Sequence, residues 1–224
     1  MLDSSTAPAR GHAKRRSRSR DWRFVVPVLA AAAVIALLLR ATVVDFFYID
    51  SASMTPALRP GDGLLVNRLA YAGGAPEAGD VVVFDGTGTL APYRSPDVVR
   101  DLVEGLRLAG GNDYFVKRVV GAPGDHVVCC DADGRLVRNG EPVREPYLHP
   151  GDAPSTTAFD VTVPDGRIWV MGDHRSDSTD SRALLGAPGG GVIPVERVVG
   201  RVDRIVWPPE RGGRLGSDAQ GTQQ

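Results

Sequence analysis

From Phe24 to Leu39 the chain carries no charge, and Arg40 alone interrupts the apolar run before Val44. No other stretch constrains the fold as strongly. As a helix, Phe24 to Val44 would measure about 31 Å, close to the hydrocarbon thickness of a bilayer. Arg40 stands near the far end, where its stem can carry the guanidinium to the headgroups. Trp22 stands at the opposite interface, where amphipathic rings are favoured. The competing reading is a cleavable leader, whose apolar core should be about 7–15 residues with a small-x-small site soon after. This run is longer and leads into the bulky "VVDFFYI". The pattern therefore predicts an uncleaved transmembrane anchor over residues 22–44. Lys14, Arg15, Arg16, Arg18 and Arg20 precede it, so the positive-inside rule keeps residues 1–21 in the cytoplasm as a basic, disordered tail. Everything from Asp45 onward is then outside the cytoplasm.

The remainder reads as one domain. At 224 residues and 42% apolar the chain can bury a core, and its net charge of −1 gives no argument for a nucleic-acid partner. Gly (27) and Pro (17) are frequent and aromatics make up only 6%, which favours short strands and turns over long helices. The runs "GDGLLVNRLA", "AGDVVVFD", "YFVKRVVGAPGDHVVCC", "GRLVRNGEPV", "TAFDVTVPDGRIWVMGDHR" and "GVIPVERVVGRVDRIVW" are rich in Val and Ile and bounded by Gly, Pro, Asp and Asn. They predict a mainly β domain with an antiparallel core, barrel-like or sandwich. "DADGRLVRNGEPV" predicts a hairpin, since Asp133-Gly134 and Asn139-Gly140 suit positive φ. Within an inserted segment, 86–112, Val98, Leu102, Leu106 and Leu108 approach helical spacing and predict a short amphipathic helix. Residues 208–224 have no apolar period and read as a disordered tail. Cys129 and Cys130 are adjacent; a bond between them would strain the intervening peptide, so they are expected as free or structural thiols.

Few residues could do chemistry outside the cytoplasm. His12 lies in the tail, and His126, His149 and His174 lack the i, i+4 pairing of a helical metal site, so no metal site is predicted. Asp173 and His174 invite a Ser-His-Asp reading, but neighbours in an extended chain point to opposite sides. Lys117 sits in "YFVKRVVG" among apolar residues and beside Arg118. Desolvation and a nearby guanidinium would both lower its pKa, and a neutral amine can take a serine proton. Equally, Lys117 could point to solvent from an edge strand, where lysine discourages aggregation. Both readings stay open at this level.

Four stretches, in order behind the anchor, resemble the boxes of the bacterial type I signal peptidases, or leader peptidases. They are "SASMTPAL" (51–58), "GDVVVF" (79–84), "YFVKRVVGAPGD" (114–125) and "GDHRSDSTDSR" (172–182). The resemblance implies a catalytic core of coiled antiparallel sheets, so that residues 45–207 form an extracytoplasmic serine protease domain. It implies Ser53 as nucleophile and Lys117 as general base, with the Ser51 hydroxyl and Ser53 N–H forming the oxyanion hole. Ser178 would hydrogen-bond the lysine amine, Asp173 would pair with Arg118, and Asp180 with Arg182. Phe47, Ile49, Met54, Leu58, Phe115 and Val116 match positions lining shallow substrate pockets. In the last box His174 replaces a usual asparagine.

The activity so implied is removal of signal peptides from exported preproteins, after small residues in Ala-x-Ala sites, through an acyl-enzyme. Neither metal nor organic cofactor is implied. The partners are signal peptides and the lipid bilayer, with no nucleic acid, and the protein is expected as a monomer, single-pass in the cell membrane. Three other readings compete. One is a Ser-His-Asp protease using His174. Another is a self-cleaving Ser-Lys protease of the repressor type, which should be cytoplasmic and carry a DNA-binding module. The third is a non-catalytic, membrane-tethered β-domain, which would not require Ser51, Ser53 and Lys117 together.

Overall fold

A computed structural model describes residues 22–91 and 113–215. The chain divides into two units, 1–38 and 39–224. The apolar run forms helix α1, Trp22–Thr42, of 21 residues. The side chains described along α1 are exposed, including Phe24, Val28, Leu29 and Leu37. Among the described residues no helix is long and apolar enough to cross a membrane. The helix ends at Thr42 and a strand begins at Val44, so the last residue assigned to the anchor belongs to the next element.

Among the described residues twelve strands follow: β1 (Val44–Tyr48), β2 (Gly63–Asn67), β3 (Val81–Asp85), β4 (Tyr114–Gly121), β5 (His126–Cys129), β6 (Leu136–Arg138), β7 (Glu141–Pro142), β8 (Phe159–Thr162), β9 (Arg167–Met171), β10 (Ile193–Pro194), β11 (Val198–Trp207) and β12 (Gly213–Arg214). One sheet runs β1-β2-β11-β3-β4-β9-β10, with β12 added to β11; a second runs β7-β6-β5-β8. All the pairings between these strands are antiparallel. The mainly β expectation is met, but the larger sheet ends on different strands, β1 and β10, and does not close into a barrel. The hairpin at Asn139-Gly140 joins β6 to β7, with φ of 54° and 86° at the two turn residues.

The runs fold as strands because their burial differs by position in the sheet. β3 is central, flanked by β11 and β4, and its first four residues, Val81, Val82, Val83 and Phe84, are buried on both faces. Such a strand reads as a continuous apolar run rather than an alternation. Its even and odd positions feed two clusters. Val81 and Val83 pack with Ile49, Met54, Leu58, Leu64 and Val66, whereas Val82 and Phe84 pack with Val119, Ile168, Val170 and Ile193.

Two expectations are corrected. Residues 208–215 are not a tail: Pro209–Arg211 form a 3-10 turn, β12 pairs with β11, and Arg211 grips the buried Asp62 carboxylate with two bonds of 2.8 Å. A two-residue strand has no period to detect. Cys129 and Cys130 are bonded to each other rather than free. The peptide between them is cis and the Cα atoms are 3.0 Å apart. The helix predicted over 98–108, the N-terminal tail and residues 216–224 lie outside the described residues.

Candidate active site

Ser53 sits in the turn after β1. Ile49 N–H bonds Asp62 O at 2.9 Å and Gly61 N–H bonds Ile49 O at 2.8 Å, closing the loop at its base. Inside it Thr55 N–H donates to Ala52 O and Leu58 N–H to Met54 O, at 3.0 and 2.8 Å. Met54 and Leu58, one helical turn apart, are 1% and 0% exposed and anchor the turn in the core. The serine is thereby held by the packing of its neighbours.

Lys117 comes from β4, which lies between β3 and β9, so it is not on an edge strand. The residue is 4% exposed, which removes the solvent-facing reading. Its Nζ lies 2.5 Å from Ser53 Oγ and donates to it. Burial lowers the amine to about 8, against the opposing pull of Asp180 and Asp173. The Arg182 guanidinium assists this shift. A lysine so placed is half deprotonated at about pH 8, far below an ordinary lysine, and stands in contact with a buried hydroxyl. That is the arrangement a serine acyl transfer requires.

Arg118 turns to a different task. Its Nε and Nη2 meet Asp173 Oδ1 and Oδ2 at 2.8 and 2.7 Å, both side chains are fully buried, and the guanidinium lies 4.0 Å over the Tyr147 ring. Asp180 and Arg182 form the second predicted pair, also through two bonds of 2.8 Å. Although burial opposes it, the Arg182 guanidinium and the Gly172 N–H hold the Asp180 carboxyl below its ordinary value. Ser178 is near enough to help Asp180, but its buried Oγ has no partner at hydrogen-bond geometry, and the predicted bond to the Lys117 amine is not formed.

Sequence reasoning missed several supports. A Cβ on Gly172 would stand 2.3 Å from Ser178 Oγ and 2.5 Å from Ser53 O, so only glycine lets this turn press against the serine loop. His174 N–H donates to Ser53 O at 3.1 Å. Arg175 is buried and bonds Glu145, Gly172 O and Pro154 O. Glu145 stands thirty positions away in the chain, and no spacing rule connects it to Arg175.

The remaining predicted residues are brought to the same region with two differences. Ser51 is exposed, and its Oγ accepts the Ser53 N–H at 3.2 Å. The two donors assigned to the oxyanion are thus bonded to each other, and turning the Ser51 hydroxyl aside would free both. Phe47, Ile49, Met54, Leu58 and Val116 share one apolar cluster. Phe115 does not: it packs with Phe84 in the other cluster, because consecutive strand residues face opposite ways.

His174 does not face Ser53. Its Nδ1 is 3.1 Å from Thr55 Oγ1, and its ring stacks on His149 with centroids 3.9 Å apart. No hydrogen bond joins it to the Asp173 carboxylate, which is occupied by Arg118. A Ser-His-Asp constellation is absent among the described residues. One atom each of His149, Asp152 and His174 lie within 4.8 Å of one another, a group able to hold a metal ion.

The family described as "Signal peptidase, peptidase S26" matches residues 22–207. A probable signal peptidase I of Mycobacterium leprae is 34% identical over 97% of this chain and 86% of its own length. Signal peptidase I of Mycobacterium tuberculosis is 38% identical over 82% and 73%. A probable signal peptidase I of Synechocystis is 35% identical over 88% and 89%. The chain is a hydrolase that belongs to the signal peptidase family, peptidase S26.

Proposed function

We propose that the protein is a membrane-anchored endopeptidase that removes signal peptides from exported preproteins, using Ser53 as nucleophile and Lys117 as general base. The observation that carries the reading is the buried 2.5 Å contact between Lys117 Nζ and Ser53 Oγ. In the deprotonated amine the lone pair turns to the hydroxyl and receives its proton as Oγ attacks the scissile carbonyl. The tetrahedral oxyanion takes the Ser53 N–H and the Ser51 hydroxyl, once their mutual bond opens. The ammonium then protonates the leaving amine. The amine so regenerated draws a proton from water, which attacks the ester, and the ammonium passes that proton to Ser53 Oγ as it leaves, restoring the hydroxyl and the neutral amine.

Ile49, Met54, Leu58 and Val116, neighbours of the serine and the lysine in the chain, belong to one apolar cluster; an apolar lining of that kind would accept the small side chains of Ala-x-Ala sites. Helix α1, apolar on every described face, together with the uncharged run to Leu39 and the basic residues before it, supports a single-pass anchor with the N-terminus cytoplasmic.

The test is processing of a preprotein by the full-length protein in detergent micelles. Ser53→Ala, Lys117→Met and Lys117→Arg should each abolish cleavage, the last because a guanidinium is not deprotonated in proteins. His174→Ala should keep most of it. Cleavage by Lys117→Arg at the wild-type rate would refute the assignment.

A further inference from the structure

We propose that His149, Asp152 and His174 form a binding site for a divalent transition metal of the zinc class, seated beside the serine loop. Their donor atoms lie within 4.8 Å of one another and all three side chains are half-buried. Two imidazoles and a carboxylate are the donor set such an ion prefers, with water completing four positions.

Each donor is held by a contact of its own. The Asp152 carboxylate accepts from Ser176 N at 3.2 Å and from Ser176 Oγ at 2.8 Å. The turn that carries it is closed by Asp152 N–H to His149 O at 3.0 Å, with Gly151 at φ 93°. For His174 the tautomer can be worked out. Thr55 Oγ1 has one proton and gives it to Ala52 O, 2.9 Å away. With the proton there, the same oxygen accepts from His174, and Nδ1 carries the hydrogen of the 3.1 Å bond. The lone pair is left on Nε2. Fixing the tautomer of a ligating imidazole through its other nitrogen is what outer partners of metal sites do. The His149 ring makes no hydrogen bond within the described residues, so it can turn out of its stack on His174 to present a nitrogen.

The position gives an ion something to brace. His149 N–H bonds Asp173 O at 3.0 Å and His174 N–H bonds Ser53 O at 3.1 Å. A metal would tie the 149–152 turn to the 172–174 turn, and through it to the serine loop. Sequence spacing hid the group because the histidines come from separate turns rather than from one helix face.

The test does not rest on the proposed peptidase chemistry. Full-length protein in detergent micelles is stripped with a chelator and titrated with Co2+, followed by visible absorption, and with Zn2+, followed by calorimetry and thermal unfolding. The expected result is one equivalent of Co2+ displaced by Zn2+, with a Tm that rises with Zn2+ concentration. His149→Ala and Asp152→Asn should each weaken Zn2+ binding by about 100-fold or more, while His126→Ala, at a surface histidine paired with Asp160, should not. Metal-free Tm and far-ultraviolet dichroism establish that each variant folds, and Asp152→Asn alone decides the matter if His149→Ala does not. Absence of stoichiometric binding, or equal Zn2+ affinity in wild type and Asp152→Asn, would overturn the site.

Discussion

Replacing Lys117 by methionine should change how stability depends on pH, by an amount that follows from its burial. The folded amine titrates at about 8 against an ordinary 10.5. At about 1.4 kcal/mol per unit, the shift corresponds to about 3 kcal/mol in all. Between those two values the unfolded chain holds a proton that the folded chain has released, so wild-type stability rises with pH across that window. Below pH 8 both states are protonated and the full penalty of burying an ammonium is present. Methionine does not titrate. From pH 7 to pH 9.5 the wild type should therefore gain about 2 kcal/mol relative to Lys117→Met. That corresponds to about 4–8 °C in the difference between their Tm values. Losing the Ser53 hydroxyl's partner and altering the packing shift the variant equally at both pH values, so they cancel in the comparison. Thermal unfolding of the two full-length proteins at pH 7 and 9.5 reads the effect. If the Tm difference is the same at both pH values, the lysine is not held at a lowered pKa and the reasoning fails.

Two further outcomes follow from the supports behind the serine. Gly172→Ala should displace the Ser53 carbonyl and Ser178, lowering kcat/KM by about 100-fold as misplacement of the nucleophile would; an unchanged rate would mean that the two loops part freely. Asp173→Asn should lower stability by about 3–5 kcal/mol in a denaturation experiment, because Arg118 is left buried with its charge unmatched.

How much of this was legible depends on whether a feature is local. The strands were, because Val and Ile runs between turn residues encode them directly, and β3 shows it most plainly. Strand order was not: alternation says which face a residue takes, not which strand lies beside it, and the expectation of a barrel arose there. Of β1 only Val44 was taken into the anchor, because the apolar run gives no sign of where the helix stops and the strand begins. Ser53, Lys117, Asp173 and Arg182 were legible only through the resemblance of their boxes, while composition left Lys117 undecided between a solvent edge and a buried base. Its place on an interior strand is a tertiary fact. Glu145 with Arg175, and His149 with His174, meet through space across turns and leave no periodic trace. The Gly172 requirement could have been suspected, since a glycine heading a box of charged residues is a common sign of close backbone approach.

The pH dependence of kcat/KM on a peptide with an Ala-x-Ala site tests the central claim most directly. With Lys117 as the base, log kcat/KM should rise with unit slope below pH 8 and level off above it, and the profile should keep its shape in His174→Ala. An inflection that vanishes in His174→Ala would assign the base to histidine and contradict the account.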